Sequence, residues 1–311
     1  MNWLTKIKNF GDKIKKNLQK KFPTKEEIAN SDWTSCCQGP ILKKDLEENL
    51  WVCPNCDKHH RIDPIKRFDI FFGKNNYEIL KTPIASDDPL GWVDTKPYTQ
   101  RLKEARDKTK QNCAVMVAKG YIDDIQITAG AVNFNFIGGS FGASEVEAVV
   151  YAVQHSIDNQ TPLVFFPCGG GMRMFESMIA LSGMTKTTLA INELKKNNLP
   201  YISVFTDPTA GGITASFAML GDIHMAEPGC LIAFAGKRVV SATIKSDLPE
   251  DFQSAEFQKK HGFVDRVVQR KNIQKEVGNL LSILLKKNSE VNSDNLNETS
   301  DNTDTLTKAA S

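Results

Sequence analysis

Three apolar runs in the middle of the chain, Val132–Gly139, Leu163–Gly171 and Tyr201–Gly212, each read as a strand that ends in adjacent glycines and passes into a helical pattern. Paired glycines at such a turn let a ligand reach the main chain, and the first N–H groups of a following helix have no internal partner. The repetition therefore predicts chemistry done by backbone amides, in turns suited to an oxyanion or a phosphate.

The pattern around these turns predicts an α/β fold. Cys113–Ala118 and Ile125–Phe136 read as strands flanking a turn at Tyr121–Asp124. Helical periodicity covers Ala143–Ile157, Met172–Asn197 and Ile213–Leu220, and Leu163–Pro167, Tyr201–Thr206 and Leu231–Ala235 read as strands. Strand–strand–helix and strand–helix units in this order build a layered α/β domain. Upstream, Tyr98–Lys110 reads as an exposed helix, while Pro83, Pro89 and Pro97 mark loops in an otherwise mixed stretch. Ile273–Lys287 predicts a last helix, and residues 288–311, rich in Asn, Ser, Thr and Asp, predict a disordered tail.

With 311 residues, 41% of them hydrophobic, the chain is long enough for one large core and a small module. Its net charge of +2 hides an asymmetry: residues 1–22 carry seven lysines against Asp12, a balance of +6 that leaves −4 for the remainder. Trp3, Leu4, Ile7, Phe10, Ile14 and Leu18 recur at helical spacing there, which predicts a basic amphipathic helix within 1–28. Docking on its own protein is the favoured reading of that helix; a membrane surface or nucleic acid are the others. No apolar run approaches the ~18 to 20 residues of a membrane span, and lysines interrupt the N-terminal segment too often for a signal peptide. The expected location is cytoplasmic.

Four of the seven cysteines fall between Cys36 and Cys56, within a module expected over 29–62. Cys53-Pro54-Asn55-Cys56 has the C-x₂-C spacing that lets two thiolates share a tetrahedral ion. A second knuckle of that spacing would need a cysteine at Thr34, and Cys36 and Cys37 are adjacent instead. Three readings follow: both join Cys53 and Cys56, or His59 or His60 supplies a ligand, or the site has lost its metal. A bound ion would be structural, since so short a ribbon has little core of its own.

Among candidates for chemistry, Gly138-Gly139-Ser140-Phe141-Gly142 fits the G-x-S-x-G of a hydrolase elbow, with Asp207 or Asp222 and then His224 or His261 in the right order. Neither histidine follows a recognisable final strand, so a glycine-lined ligand turn with Ser140 as a donor is the better reading. No turn carries G-x-G-x-x-G with an acidic residue downstream, and no G-K-[ST] follows any glycine run. Cys168 at an expected helix start reads as an activated thiol or a packing residue, and Arg173 as an anion ligand or a helix tie.

Asp207-Pro208-Thr209-Ala210-Gly211-Gly212, followed by Ala215–Ala218 and Gly221-Asp222, resembles the beta-subunit family of bacterial acetyl-CoA carboxylase carboxyltransferases. Trp33-Thr34, Leu46–Leu50, Val52–Cys56, Gly138–Ser140, Gly170-Gly171 with Arg173-Met174, Ala226–Pro228 and Phe234–Gly236 extend the resemblance over nearly the whole chain. It departs at Cys36-Cys37 and at Lys237, where the family typically has proline. The resemblance implies a crotonase/ClpP-like fold of repeated ββα units over 63–287 with an N-terminal zinc ribbon, in which Cys36, Cys37, Cys53 and Cys56 hold structural zinc.

It further implies an α2β2 heterotetramer with a carboxyltransferase alpha subunit. That enzyme moves a carboxyl group from carboxybiotin, borne on a biotin carboxyl carrier protein and loaded by an ATP-dependent biotin carboxylase, to acetyl-CoA, giving malonyl-CoA. Gly211 and Gly212 would supply the oxyanion donors; Gly138, Gly139, Ser140, Gly170, Gly171, Arg173 and Gly236 would line the acyl-CoA cleft. Elementary chemistry agrees, because carboxyl transfer forms an enolate whose oxygen needs fixed donors and requires no side-chain base on this chain. A serine hydrolase built on Ser140 and a zinc-ribbon nucleic-acid-binding protein are the competing expectations.

Overall fold

A computed structural model describes residues 32–36 and 39–286. The helix expected within 1–28, Cys37 and the expected tail at 288–311 lie outside the described residues.

Strands β1 (Trp33–Cys36) and β2 (Gly39–Leu42) form an antiparallel ribbon with Cys36 opposite Gly39, followed by the short helix α1 (Lys43–Glu48). A second turn holds Cys53 and Cys56 and is closed by a bridge between Val52 and His59 and by the Cys53 N–H to Lys58 O bond at 2.9 Å. Only Ile41, Leu46 and Cys53 are buried in its apolar cluster, so the module is held by other means than a core.

Helix α2 (Pro64–Phe72) has sharp ends: the Asp63 carboxylate accepts the Lys66 N–H, Pro64 opens the first turn, and Gly73 at φ 90° closes the last. Then come β3 (Tyr77–Leu80), α3 (Tyr98–Thr109), β4 (Val115–Ile122) and β5 (Ile125–Val132). The chain continues through α4 (Ala143–Asn159), β6 (Leu163–Phe166), α5 (Ser177–Lys196), β7 (Tyr201–Phe205), β8 (Thr209–Ala210) and β9 (Ile223–Ala226). It ends with β10 (Ile232–Ala233), α6 (Lys237–Ile244), α7 (Ala255–Lys260), β11 (Arg266–Val267) and α8 (Ile273–Leu284).

Seven strands form one sheet in the order β11-β9-β7-β6-β5-β4-β3, antiparallel from β3 to β5 and parallel from β5 to β11. Alternate residues feed two cores. Leu163 and Phe165 of β6 and Tyr201 and Phe205 of β7 pack with α3, α4 and α5, whereas Val164, Phe166, Ile202 and Val204 pack with Phe68, Phe71 and Phe72 of α2 and Val277 and Leu281 of α8. Both faces are covered, which is why these strands read as continuous apolar runs.

Several expected boundaries move for identifiable reasons. β5 stops at Val132 because the Asn133 Oδ1 accepts the Asn135 N–H at 2.9 Å and turns the chain. The helix expected over Ile213–Leu220 is a run of turns ending in a single 3₁₀ turn at Phe217–Leu220. There Thr214 Oγ1 donates to the Gly211 and Ala233 carbonyls and Ser216 Oγ to the Gly212 carbonyl, so hydroxyls compete with helical bonding. The helix expected from Met172 starts at Ser177 after a 3₁₀ turn at Met174–Glu176, and the strand expected at Leu231–Ala235 shrinks to β10. Because β5, β6 and β7 run parallel, the loops after Val132, Phe166 and Phe205 emerge at one edge of the sheet.

Candidate active site

The three glycine turns interlock at that edge. Gly170 N–H donates to Gly138 O at 3.2 Å, Phe141 N–H to Gly171 O at 3.0 Å, Gly169 N–H to Pro208 O at 2.6 Å and Ala210 N–H to Gly169 O at 3.0 Å. Gly139 and Gly169 press backbone on backbone: a Cβ on Gly139 would sit 2.7 Å from Cys168 O, and one on Gly169 would overlap Gly139 O. Both have positive φ, 65° and 148°, so glycine is required twice over.

The amides divide into spent and available. Gly211 N–H donates to Ala233 O at 3.0 Å and Phe234 O at 3.1 Å, which extends the β8–β10 pairing and removes it as a free donor. Gly212 N–H, Gly171 N–H and Met172 N–H have no acceptor among the described residues. A Cβ on Gly171 would lie 3.5 Å from Gly212 N, so these two segments abut. A Cβ on Gly212 would overlap Met172 Cγ and approach Met184 Sδ to 3.0 Å. Amides without internal partners are what a developing oxyanion needs. These unspent amides lie in a bend and a turn rather than at the helix start expected from periodicity.

The predicted side chains fall elsewhere. Arg173 is buried and fully committed: Nε to Ser140 Oγ at 3.3 Å, Nη2 to Ser140 O at 2.5 Å and Glu145 Oε1 at 2.6 Å, Nη1 to Tyr98 Oη at 3.0 Å and Glu176 Oε1 at 3.3 Å. It braces the first glycine turn from behind, so of the two expected roles, anion ligand or tie, its bonds are those of a tie. Ser140 Oγ donates to Ile137 O at 2.8 Å and has no histidine partner among the described residues. His261 stacks on Phe257, the His224 ring packs edge-on to Phe205, Asp222 pairs with Lys195 and Asp207 with Arg61, so no triad forms. Cys168 is no nucleophile: burial pushes its thiol up to about 12, and its Sγ donates to Asp207 O at 3.3 Å. Gly236 is exposed, at φ −61° with nothing within 4 Å of a Cβ, and its conformation calls for no glycine.

Residues 93–310 match the carboxyl transferase domain family. The chain is 65% identical over 311 residues to the acetyl-coenzyme A carboxylase carboxyl transferase subunit beta of Pelagibacter ubique, covering 100% of both chains. It is 42% identical over 289 residues to the subunit of the same name from Rhizobium meliloti, covering 92% of this chain and 93% of that one. The chain belongs to the acetyl-coenzyme A carboxylase carboxyl transferase beta-subunit family. Solved structures agree on the fold. Transcarboxylase 12S with hydrolysed methylmalonyl-coenzyme A superposes with a TM-score of 0.59 at 19% identity, over 77% of this chain and 44% of that one. A Pseudomonas malonate decarboxylase hetero-dimer gives 0.54 at 16% identity, over 72% and 86%. The crotonase-like carboxyltransferase fold expected from the family resemblance is thus present, and the Ser140 hydrolase is set aside.

In this beta-subunit chain the ribbon brings Cys36, Cys53 and Cys56 together, with their ligand atoms within 4.8 Å of one another and Cys36 Sγ 3.4 Å from Cys56 Sγ. Three converging sulfurs could hold a thiophilic metal ion. Neither neighbouring histidine joins this group. His59 Nε2 lies 2.7 Å from Gln269 Oε1 and its Nδ1 3.6 Å from Glu227 Oε2. Burial, with Lys58 and Arg270 nearby, lowers the pKa of His60.

Sequence reasoning missed the buried cluster beneath the ribbon. Glu227 accepts from Arg67 Nη1 at 2.5 Å and from Arg270 Nε and Nη2 at 2.7 Å each, with all three residues buried. Burial alone would raise the Glu227 carboxyl, but Arg67 and Arg270 more than offset it and hold it well below the usual range. Arg270 also donates to Leu50 O, Trp51 O and His60 O, fastening the ribbon to the main domain. The one signal in the sequence was Ala226-Glu227-Pro228, noted for the resemblance with no role attached.

Proposed function

We propose that this chain is the acyl-CoA-holding half of an acetyl-CoA carboxylase carboxyltransferase, and that its chemical contribution is the donor pair of Gly212 and Gly171. The observation that carries this reading is two abutting segments with unspent amides in the cradle of three interlocked turns. Biotin on a carrier protein supplies the carboxyl group and the base that takes the α-proton of acetyl-CoA. The chain's own part is to orient the thioester and to hold the negative charge that grows on its carbonyl oxygen as the enolate forms. Losing one such donor typically costs ~10² to 10³ in rate. Gly138, Gly139, Gly169 and Gly170 shape the cradle, Ser140 and Arg173 brace it, and Gly211 anchors it through the Ala233 and Phe234 carbonyls.

The partners of this reading are a carboxyltransferase alpha subunit in an α2β2 assembly, a biotin carboxyl carrier protein and a biotin carboxylase. Apolar side chains left in solvent beside the cradle, Phe234 at 71% and Met174 at 76% exposure, support a face covered by another subunit. Zinc held by Cys36, Cys53 and Cys56, with Cys37 as the fourth ligand expected from the sequence, would order the ribbon, which has little core; the three converging thiolates support this. No helix among the described residues is long and apolar enough to cross a membrane, in keeping with a cytoplasmic enzyme.

The test is reconstitution. Acetyl-CoA, bicarbonate and ATP should yield malonyl-CoA only when this chain, the alpha subunit, the biotinylated carrier and biotin carboxylase are all present. A complete mixture that makes none refutes the reading.

A further inference from the structure

The ribbon module reaches the donor cradle through Arg61. Arg61, five positions after Cys56, extends its guanidinium over the Phe134 ring at 4.0 Å and grips Asp207 twice. Its Nε donates to Asp207 O at 3.0 Å and its Nη2 to Asp207 Oδ2 at 3.1 Å. The other carboxylate oxygen, Oδ1, accepts the Leu231 N–H at 3.1 Å, so Asp207 is held from two sides. From this residue both donor segments hang. Pro208 O accepts Gly169 N–H at 2.6 Å, two residues before Gly171, and the chain onward through Thr209 and Ala210 delivers Gly212.

We infer that Arg61 is a positioning residue for carboxyl transfer: by fixing Asp207 it sets the spacing of the Gly171 and Gly212 amides. The inference rests on the reading of those amides as the oxyanion donors. The ion pair is half exposed, 46% on Arg61 and 36% on Asp207, so it adds little to stability. Its weight falls on geometry, where a displacement of about 1 Å can cost on the order of 10²-fold in rate. A planar fork is needed because the grip spans a carbonyl and a carboxylate oxygen; a lysine ammonium offers a point charge without that geometry.

The rival role for a half-exposed arginine at a cleft is direct contact with a CoA phosphate, and the kinetics separate the two. In the complete reconstituted enzyme, Arg61→Ala is expected to lower kcat roughly 10- to 100-fold while KM for acetyl-CoA stays within about twofold and Tm within about 2 °C. Arg61→Lys should restore only part of the loss. Combining Arg61→Ala with Asp207→Asn should cost little more than Arg61→Ala alone, since Arg61→Ala already removes the Nη2–Oδ2 contact that Asp207→Asn weakens, and asparagine keeps an oxygen for the Leu231 N–H. An unchanged kcat, a KM that rises and responds to salt, multiplicative losses in the double variant, or a Tm drop of more than about 5 °C each overturns the inference. An unmodified complex that makes no malonyl-CoA defeats the underlying reading instead, which keeps the two failures apart.

Discussion

Glu227→Gln probes the buried cluster that fastens the ribbon to the catalytic domain. The carboxylate accepts three charge-assisted bonds, one at 2.5 Å and two at 2.7 Å, from two guanidiniums that are themselves buried. Bonds to charged groups contribute about 1.5–3 kcal/mol each, but glutamine keeps one carbonyl acceptor, so the expected loss is about 3–5 kcal/mol, the usual cost of breaking a buried pair. For a domain of this size each kcal/mol moves Tm by about 2–4 °C, which places the drop at about 6–20 °C by calorimetry at pH 7. The pH dependence has a definite sign. Because the folded carboxyl titrates below its unfolded value of about 4.3, its stabilisation is complete above that pH and fades as pH falls through the folded value. The gap between wild type and Glu227→Gln should therefore stay constant from pH 6 to 8 and narrow below about pH 4. A Tm within about 2 °C of wild type, or a gap that widens in acid, would refute the assignment.

Gly139→Ala should destabilise by about 1–3 kcal/mol in urea titrations, since its Cβ would meet Cys168 O at 2.7 Å at a φ of 65°. Ser140→Ala should retain carboxyl transfer and cost only about 0.5–1.5 kcal/mol of stability, and the wild type should resist fluorophosphonate labelling, because the hydroxyl donates to Ile137 O, accepts a long bond from Arg173 Nε and has no base beside it among the described residues. Cys168, buried with its thiol pushed up to about 12, should escape iodoacetamide at pH 8 until the chain is unfolded, as peptide mapping would show. Cys53→Ser should abolish about one equivalent of zinc by metal analysis and increase proteolysis within residues 32–62. A wild type that binds no metal would end the ribbon assignment.

The central sheet was legible because β5, β6 and β7 are buried on both faces and announce themselves as unbroken apolar runs. The glycines at their ends also located the cradle. What sequence could not supply was which amides are spent: Gly211 and Gly212 look alike, and only the pairing of β8 with β10, distant in sequence, consumes one and spares the other. The 213–220 helix failed for a local reason, the back-bonding of Thr214 and Ser216, and α2 was passed over although Asp63-Pro64 and Gly73 mark its ends. Arg173 read as a ligand or a tie because an arginine beside a glycine turn looks the same whether it faces substrate or, as here, Glu145. The ties from Arg61 in the ribbon to Asp207, and from Arg270 to the ribbon, join residues far apart in sequence and left no periodic trace.

Replacing single backbone N–H groups by ester oxygens tests the donor assignment most directly, since no side chain is added to a crowded turn. With glycolic acid incorporated at position 212, kcat for malonyl-CoA formation by the reconstituted enzyme should fall by ~10² to 10³ while the fold is retained. The same exchange at position 211 should weaken its bonds to Ala233 and Phe234 and lower Tm, without a comparable loss of kcat in the folded enzyme. Full activity with the ester at 212, or a larger catalytic loss at 211 than at 212, would contradict the account.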